Sequence, residues 1–328
     1  MVGRVIDGRY RIDALLGEGG MGQVYRGVHV SLQRPVAIKV LPPFNSLDPQ
    51  VIRRFLREAR VASRLRNAHT VSTFDFGRTG DGILFLVMEL LEGVPLRVVL
   101  QQAGRIEPGR ACRIAAQILE SLVEAHAQHI LHRDIKPENV MLLGCGGPDE
   151  FVKVFDFGIA RALARGNTIT DRGIVFGTPC YMSPEQARGD VLDPRSDLYS
   201  VGILLFEMIA GRMPVEEARP VRLLDARRDP RAPVLSSVAP DANVPPALDG
   251  LVASLLEFDP RRRPASAEAV LEELRGGEPA LVPSGPTGAG ASPRVTPRWR
   301  RGLPFWLALA TGLLGLAAGL AIRALLGP

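Results

Sequence analysis

Cysteine is scarce in this 328-residue chain: Cys112, Cys145 and Cys180 are the full set. An odd number without metal-ligand spacing indicates neither a disulfide framework nor a zinc site, and it suits a reducing cytoplasm. Surplus charge is missing too, once it is located. Nearly all of the net charge of +5 belongs to the tail, where residues 277–328 carry Arg294, Arg298, Arg300, Arg301 and Arg323 against Glu278 alone. The first 276 residues therefore hold 35 bases and 34 acids. A body so nearly neutral argues against a nucleic-acid-binding surface, and nucleic acid is not an expected partner. The N-terminus, Met1-Val2-Gly3-Arg4, lacks the apolar stretch of a secretory signal, and no internal repeat is present. Apolar material is ample at 46%, enough to bury the core of one large domain or two ordinary ones.

The residue pattern changes along the chain. Tyr10 to Leu16 and Val36 to Val40 read as short strands broken by glycines, as in an antiparallel sheet. After Asp48-Pro49 the period becomes helical: Val51, Phe55, Ala62 and Leu65 mark one face, and Glu58 falls on it by three- and four-residue spacing. Leu84 to Met88 reads as a strand, and Cys112 to His126 as a long amphipathic helix with Ile114, Ile118, Leu122 and Ala125 aligned. Leu198 to Ile209 is apolar on nearly every side and stops at Gly211, so it predicts a helix buried inside a helical lobe. Strands first and helices later predict an α+β protein in two lobes, about 8–90 and 91–275. Residues 276–302 are rich in Gly, Pro, Ser and Ala and read as a tether.

Residues 303–322 contain no charge and would span about 30 Å as a helix, the apolar thickness of a bilayer. The alternative is a buried helix, but it follows a linker and little chain remains to cover it. Four arginines on its N-terminal side against Arg323 on the other predict a single pass, with the main domain on the cytoplasmic side of an inner or cytoplasmic membrane and residues 323–328 outside. Trp299 and Trp306 straddle the entry point as interfacial anchors. Gly315 and Gly319 form G-x-x-x-G within a small-residue stripe, which leaves homodimerisation through the span, or through the main domain, open.

Two motif clusters carry chemistry. The first is Gly17-Glu18-Gly19-Gly20-Met21-Gly22-Gln23-Val24, whose glycines let backbone N–H groups approach phosphate oxygens. Dinucleotide-binding folds use similar glycine spacing, but they open a helix at the third glycine, whereas here a strand continues toward Val36-Ala37-Ile38-Lys39. Lys39 and Glu58 are two inward-leaning charges, each of the kind the other requires. The second cluster is His132-Arg133-Asp134-Ile135-Lys136-Pro137-Glu138-Asn139, followed by Asp156-Phe157-Gly158. Phosphoryl transfer asks for a carboxylate to orient the attacking hydroxyl and for oxygen ligands to a divalent cation. Asp134 fits the first role, and Asn139 and Asp156 fit the second. Asp75-Phe76-Gly77 repeats the Asp-Phe-Gly string upstream, at a strand end, and reads as structural.

With these motifs in this order, residues 8 to 275 resemble a bacterial Hanks-type serine/threonine protein kinase. Ile135 stands where Leu is common, and Ser183-Pro184-Glu185 replaces Ala-Pro-Glu; neither touches a reacting group. The resemblance implies a two-lobed fold, ATP and Mg²⁺ (or Mn²⁺) as cofactors, and protein substrates with Ser/Thr acceptors. It implies that Lys39 and Glu58 pair, that Asp134 and Lys136 serve the acceptor, and that Asn139 and Asp156 hold metal. Leu16, Gly17, Glu18, Gly19, Gly20, Met21, Gly22 and Val24 would line the nucleotide with Ala37, Lys39 and Met141. Hinge backbone would come from Glu89 and Leu91, with Met88 as gatekeeper. It further implies that Glu185 pairs with Arg263 and that Asp197 braces the catalytic loop. Arg133 before Asp134 points to control by a phosphorylated activation loop, with Thr170 or Thr168 as the site. A pseudokinase scaffold would lose one of Lys39, Asp134 or Asp156, and all three are present; a small-molecule phosphotransferase would not be expected to carry Gly177-Thr178-Pro179 with Ser183-Pro184-Glu185.

Overall fold

The computed structural model describes residues 1–19, 22–41, 49–147, 149–157, 179–214 and 232–276. The described residues fall into two compact units, one formed within 1–43 and 78–90, the other within 44–77 and 91–276.

The first unit is a sheet. Strands β1 (Val5–Ile6), β2 (Tyr10–Gly19), β3 (Gly22–His29), β4 (Arg34–Val40), β5 (Thr73–Arg78) and β6 (Leu84–Glu89) lie in the order β1-β2-β3-β4-β6-β5, β5 crossing the boundary between the units at Gly77. Pairing from β1 through β4 and from β4 to β6 is antiparallel. One face of the sheet buries Ile6, Tyr10, Ile12, Tyr25, Ile38, Phe85 and Val87 as a single core. Alternation produces this face: in β3, Tyr25 is buried and Arg26 exposed. In the central strand β4, by contrast, Val36, Ala37 and Ile38 are buried in succession. Register shifts in β2 at Ile12/Ala14 and Leu15/Gly17 are bulges that increase its twist before the glycine turn. β2 runs on to Gly19, past the expected end at Leu16.

The second unit is mainly helical, with α1 (Pro49–Ala62), α2 (Leu96–Ala103), α3 (Pro108–Ala127), α4 (Pro184–Arg188), α5 (Pro194–Ala210), α6 (Leu235–Val238), α7 (Pro246–Leu255) and α8 (Ala267–Gly276). A small antiparallel sheet joins β7 (Val94–Pro95), β8 (Val140–Leu143) and β9 (Phe151–Val154). On α1, Phe55 and Ala59 are buried as the helical period requires. Helix α3 begins four residues before the expected Cys112, because the Glu107 carboxylate accepts the N–H groups of Gly109 and Arg110 at 2.8 Å and Pro108 occupies the first turn. Ile114, Ile118, Leu122 and Ala125 of α3 are fully buried.

Helix α5 is the centre of this unit, and every residue from Ser196 to Ile209 is buried. Asp193 caps its start by accepting the Arg195 N–H at 2.8 Å. Gly211 ends it at φ 71°, and a Cβ there would stand 2.6 Å from the Gly104 carbonyl oxygen, so only glycine fits. Gly202 gives α7 a similarly close approach, since a Cβ would lie 2.7 Å from Leu255 Cβ. The second Asp-Phe-Gly string, Asp75-Phe76-Gly77, lies inside β5 rather than at a strand end. No helix among the described residues is long and apolar enough to cross a membrane; residues 303–322 lie outside those described.

Candidate active site

In the sheet unit, Leu16, Gly17, Glu18 and Gly19 end β2, and Gly22 and Val24 open β3; Gly20 and Met21 lie outside the described residues. Gly22 has φ 132°, and a Cβ would sit 2.3 Å from the Val40 carbonyl oxygen, so the turn closes only with glycine at this position. Val24 is paired with Lys39, and Ala37 with the buried Met88, across neighbouring strands. Glu89 ends β6. Lys39 is part-buried on β4.

In the helical unit, Glu58 is part-buried on α1, Leu91 follows β6, and Met141 lies on β8. The best-defined constellation of the molecule is the segment His132 to Asn139. Its anchor is Asp197 in the first turn of α5, whose side chain is 1% exposed. Asp197 accepts the N–H of His132 at 2.9 Å and that of Arg133 at 2.7 Å. His126 Nε2 on α3 lies 2.9 Å from the same carboxylate. Burial alone would raise the Asp197 carboxyl, but these contacts, led by the His126 hydrogen bond, outweigh it and hold the group below its usual value. Arg133 takes the left-handed conformation, φ 65°, a cost of about 1–3 kcal/mol for a residue with a side chain that the surroundings must impose.

His132 fixes the next layer. Its Nδ1 accepts the Asp134 N–H at 3.2 Å, so its Nε2 carries the proton toward the Phe155 carbonyl oxygen at 3.0 Å. The ring is fully buried against Phe157, and that burial pushes its pKa down, so it stays neutral. Phe155 is held a second time, its N–H donating to the Asn139 carbonyl at 3.1 Å. Both backbone groups of the residue before Asp156 are thus bonded to the loop that carries Asp134 and Asn139. Asp156 follows at φ 66°.

Asp134, Lys136 and Asn139 converge. Asp134 Oδ2 receives Asn139 Nδ2 at 2.9 Å and Lys136 Nζ at 2.8 Å. The Asn139 amide also donates to the Asp134 carbonyl at 2.8 Å. With Oδ2 engaged twice, Oδ1 is the oxygen of Asp134 left to meet an acceptor hydroxyl. With its amide N–H groups committed, Asn139 offers a carbonyl oxygen, and Asp156 offers carboxylate oxygens; this hard-oxygen pair fits Mg²⁺.

Glu185 on α4 and Arg263 form a bidentate pair at 2.7 and 2.9 Å, with side-chain exposures of 4% and 0%. Ser196 Oγ donates to Glu185 at 2.7 Å, and Arg263 also donates to the carbonyls of Glu257, Arg195 and Phe258. Burial would raise the Glu185 carboxyl, but Arg263 overrides it and brings the pKa to about 2. Gln186 on the same helix donates to the Arg133 carbonyl at 2.8 Å, tying α4 to the loop.

A second network escaped the sequence. Arg97 on α2 donates to Glu138 and to Glu207 on α5 at 2.7 Å each, and to the Tyr181 hydroxyl at 2.5 Å, while that hydroxyl donates to Glu207. The four residues come from four separate segments. Thr168, Thr170 and Thr178 lie outside the described residues.

Comparison with known proteins places this arrangement. A protein-family model for the protein kinase domain matches residues 10–274. The chain is 43% identical over 277 residues to the serine/threonine-protein kinase pkn3 of Myxococcus xanthus, covering 84% of this chain and 51% of that one. It is 40% identical to the serine/threonine-protein kinase PknL of Mycobacterium tuberculosis, covering 82% of this chain and 67% of the relative. The serine/threonine-protein kinase PrkC of Bacillus subtilis is 38% identical, with 41% of its length covered. The chain thus spans about half the length of the first of these relatives. Among solved structures, the PknI kinase domain of Mycobacterium tuberculosis superposes with a TM-score of 0.66 at 27% identity, covering 84% of this chain and 98% of that one. The chain belongs to the protein kinase family, with the two-lobed fold of an antiparallel sheet and a helical lobe.

Proposed function

We propose that the chain transfers the γ-phosphoryl group of ATP to serine or threonine hydroxyls of proteins. The convergence of Lys136, Asn139 and Asp134 on one carboxylate oxygen carries this reading, because it leaves a single oriented base oxygen for an incoming hydroxyl. Asp134 Oδ1 takes the hydroxyl proton as the bond from the hydroxyl oxygen to the γ-phosphorus forms and the bond from that phosphorus to the bridging oxygen breaks, releasing ADP, a contribution of roughly 10²–10⁴ in rate. Lys136 Nζ, held on the other oxygen, places positive charge where negative charge builds up. Lys39 and Glu58 serve the phosphates, and the glycine turn closed at Gly22 offers them backbone N–H groups. Asn139 and Asp156 would hold Mg²⁺, which supplies charge neutralisation between the phosphates when bound. The kinase domain spans 8–275. Phosphoamino-acid analysis of a generic protein labelled by the purified chain tests the acceptor: phosphoserine and phosphothreonine support the reading, and phosphotyrosine alone overturns it.

Two further parts of the proposal concern regions outside the described residues. Residues 303–322 form a single membrane span behind the tether 276–302, with the domain on the cytoplasmic side, supported by the uncharged run and its flanking arginines; Gly315 and Gly319 are where two spans would pack. Thr170 or Thr168 is the activating phosphosite. Arg133 supports this, as its buried Nε has no hydrogen-bond partner among the described residues and a phosphate would supply one.

A further inference from the structure

Helix α1 carries arginine at Arg53, Arg57 and Arg60, and Arg64 continues the same line in the turn that follows, where its N–H still donates to the Val61 carbonyl at 3.1 Å. The spacing of three and four residues puts these side chains on one stripe, and all four residues are exposed. Glu58 lies to the side of that stripe and is part-buried. Among the described residues none of the four guanidinium groups has a carboxylate partner. Other exposed arginines are matched, Arg105 with Asp241, Arg188 with Asp190, Arg261 with Asp259 and Arg262 with Glu257, and what sets these four apart is that they lie together on one helix face.

We propose that the Arg53, Arg57, Arg60 and Arg64 stripe is a docking surface for the anionic phospholipid headgroups of the membrane that the chain itself enters. Four like charges in a row repel one another, and a concentrated anionic partner relieves that repulsion. Guanidinium matches phosphate oxygens with two parallel hydrogen bonds, which favours a phosphate-bearing surface over scattered carboxylates. The near balance of charge over the first 276 residues speaks against a nucleic-acid track. The tether of residues 276–302 has a reach of roughly 30 Å, so the stripe meets the bilayer at high local concentration, and each arginine near an anionic leaflet adds to the attraction. Glu58 rides on the same helix, so lipid contact acts directly on the element that carries it.

The inference rests on the membrane reading above, and one experiment separates the two. The full chain is reconstituted into nanodiscs of phosphatidylcholine alone or with phosphatidylglycerol added, and arginine reactivity toward phenylglyoxal is followed residue by residue by mass spectrometry. Reactivity at Arg53, Arg57, Arg60 and Arg64 falls several-fold in the anionic discs and recovers at high salt, while Arg261 and Arg262 are unchanged. In Arg57→Gln/Arg60→Gln the protection at Arg53 and Arg64 is lost. Insertion into both discs with equal reactivity overturns the docking surface and leaves the span standing. If the chain inserts into neither, protection by anionic vesicles alone sustains the stripe without the span, and its absence overturns both. Protection by an added oligonucleotide but not by lipid also overturns the proposal.

Discussion

Arg263 meets Glu185 across two parallel hydrogen bonds of 2.7 and 2.9 Å with almost no solvent on either side chain. Removing one partner strands the other charge in a dry site. Glu185→Gln or Arg263→Met is expected to cost about 3–5 kcal/mol, a fall in Tm on the order of 10 °C by thermal unfolding. A drop within about 2 °C would show that the pair contributes little.

The same pair gives a pH dependence whose sign follows from the depressed carboxyl. Folding favours the charged form of Glu185, so its contribution is complete above about 4.5 and is lost as pH falls toward about 2. The stability gap between wild type and Glu185→Gln therefore narrows across that interval. A gap that stays constant to the acid end contradicts the assignment.

His132 titrates in the opposite chemical sense with the same acid direction. Its folded pKa lies below 6.5 because burial penalises the charged ring, so the unfolded chain takes up a proton that the folded chain refuses. Stability from this group is present above 6.5 and declines below it. ¹⁵N spectra should show a neutral ring protonated at Nε2 at neutral pH, as its bond to the Phe155 carbonyl requires. A charged ring at neutral pH would refute this.

Asp197→Asn keeps the size of the side chain but removes one acceptor from three donors: two backbone N–H groups and His126. One buried donor is left unmet at roughly 1–3 kcal/mol. Because two of the three donors lie in the segment carrying Asp134, kcat is expected to fall by about ten-fold or more with little change in KM for ATP. A variant that loses only ATP affinity would place Asp197 in nucleotide binding instead.

The sequence exposed the ends of this machinery better than its middle. The inward face of α1, the buried run of α5 and its stop at Gly211 were legible because period and composition are local properties. Asp197, Glu185 and Arg263 came with the family resemblance, and the structure supplies their distances. His126 and the Arg97, Glu138, Tyr181 and Glu207 network were missed for a different reason: each member sits in an ordinary local pattern, and only the packing of α2, α3 and α5 brings them together. A histidine on the inward face of α3, one turn beyond Leu122, was the available signal for the first. The start of α3 at Pro108 was missed because its cap is a glutamate, outside the usual capping residues.

The most direct test of the account is transfer of labelled γ-phosphate to a generic protein substrate by the wild-type chain and by Asp134→Asn, with Lys39→Met as a second loss-of-function control. The account predicts incorporation by wild type and a fall of roughly 10²–10⁴ in Asp134→Asn, whose amide cannot take the hydroxyl proton. Equal incorporation by wild type and Asp134→Asn would contradict it.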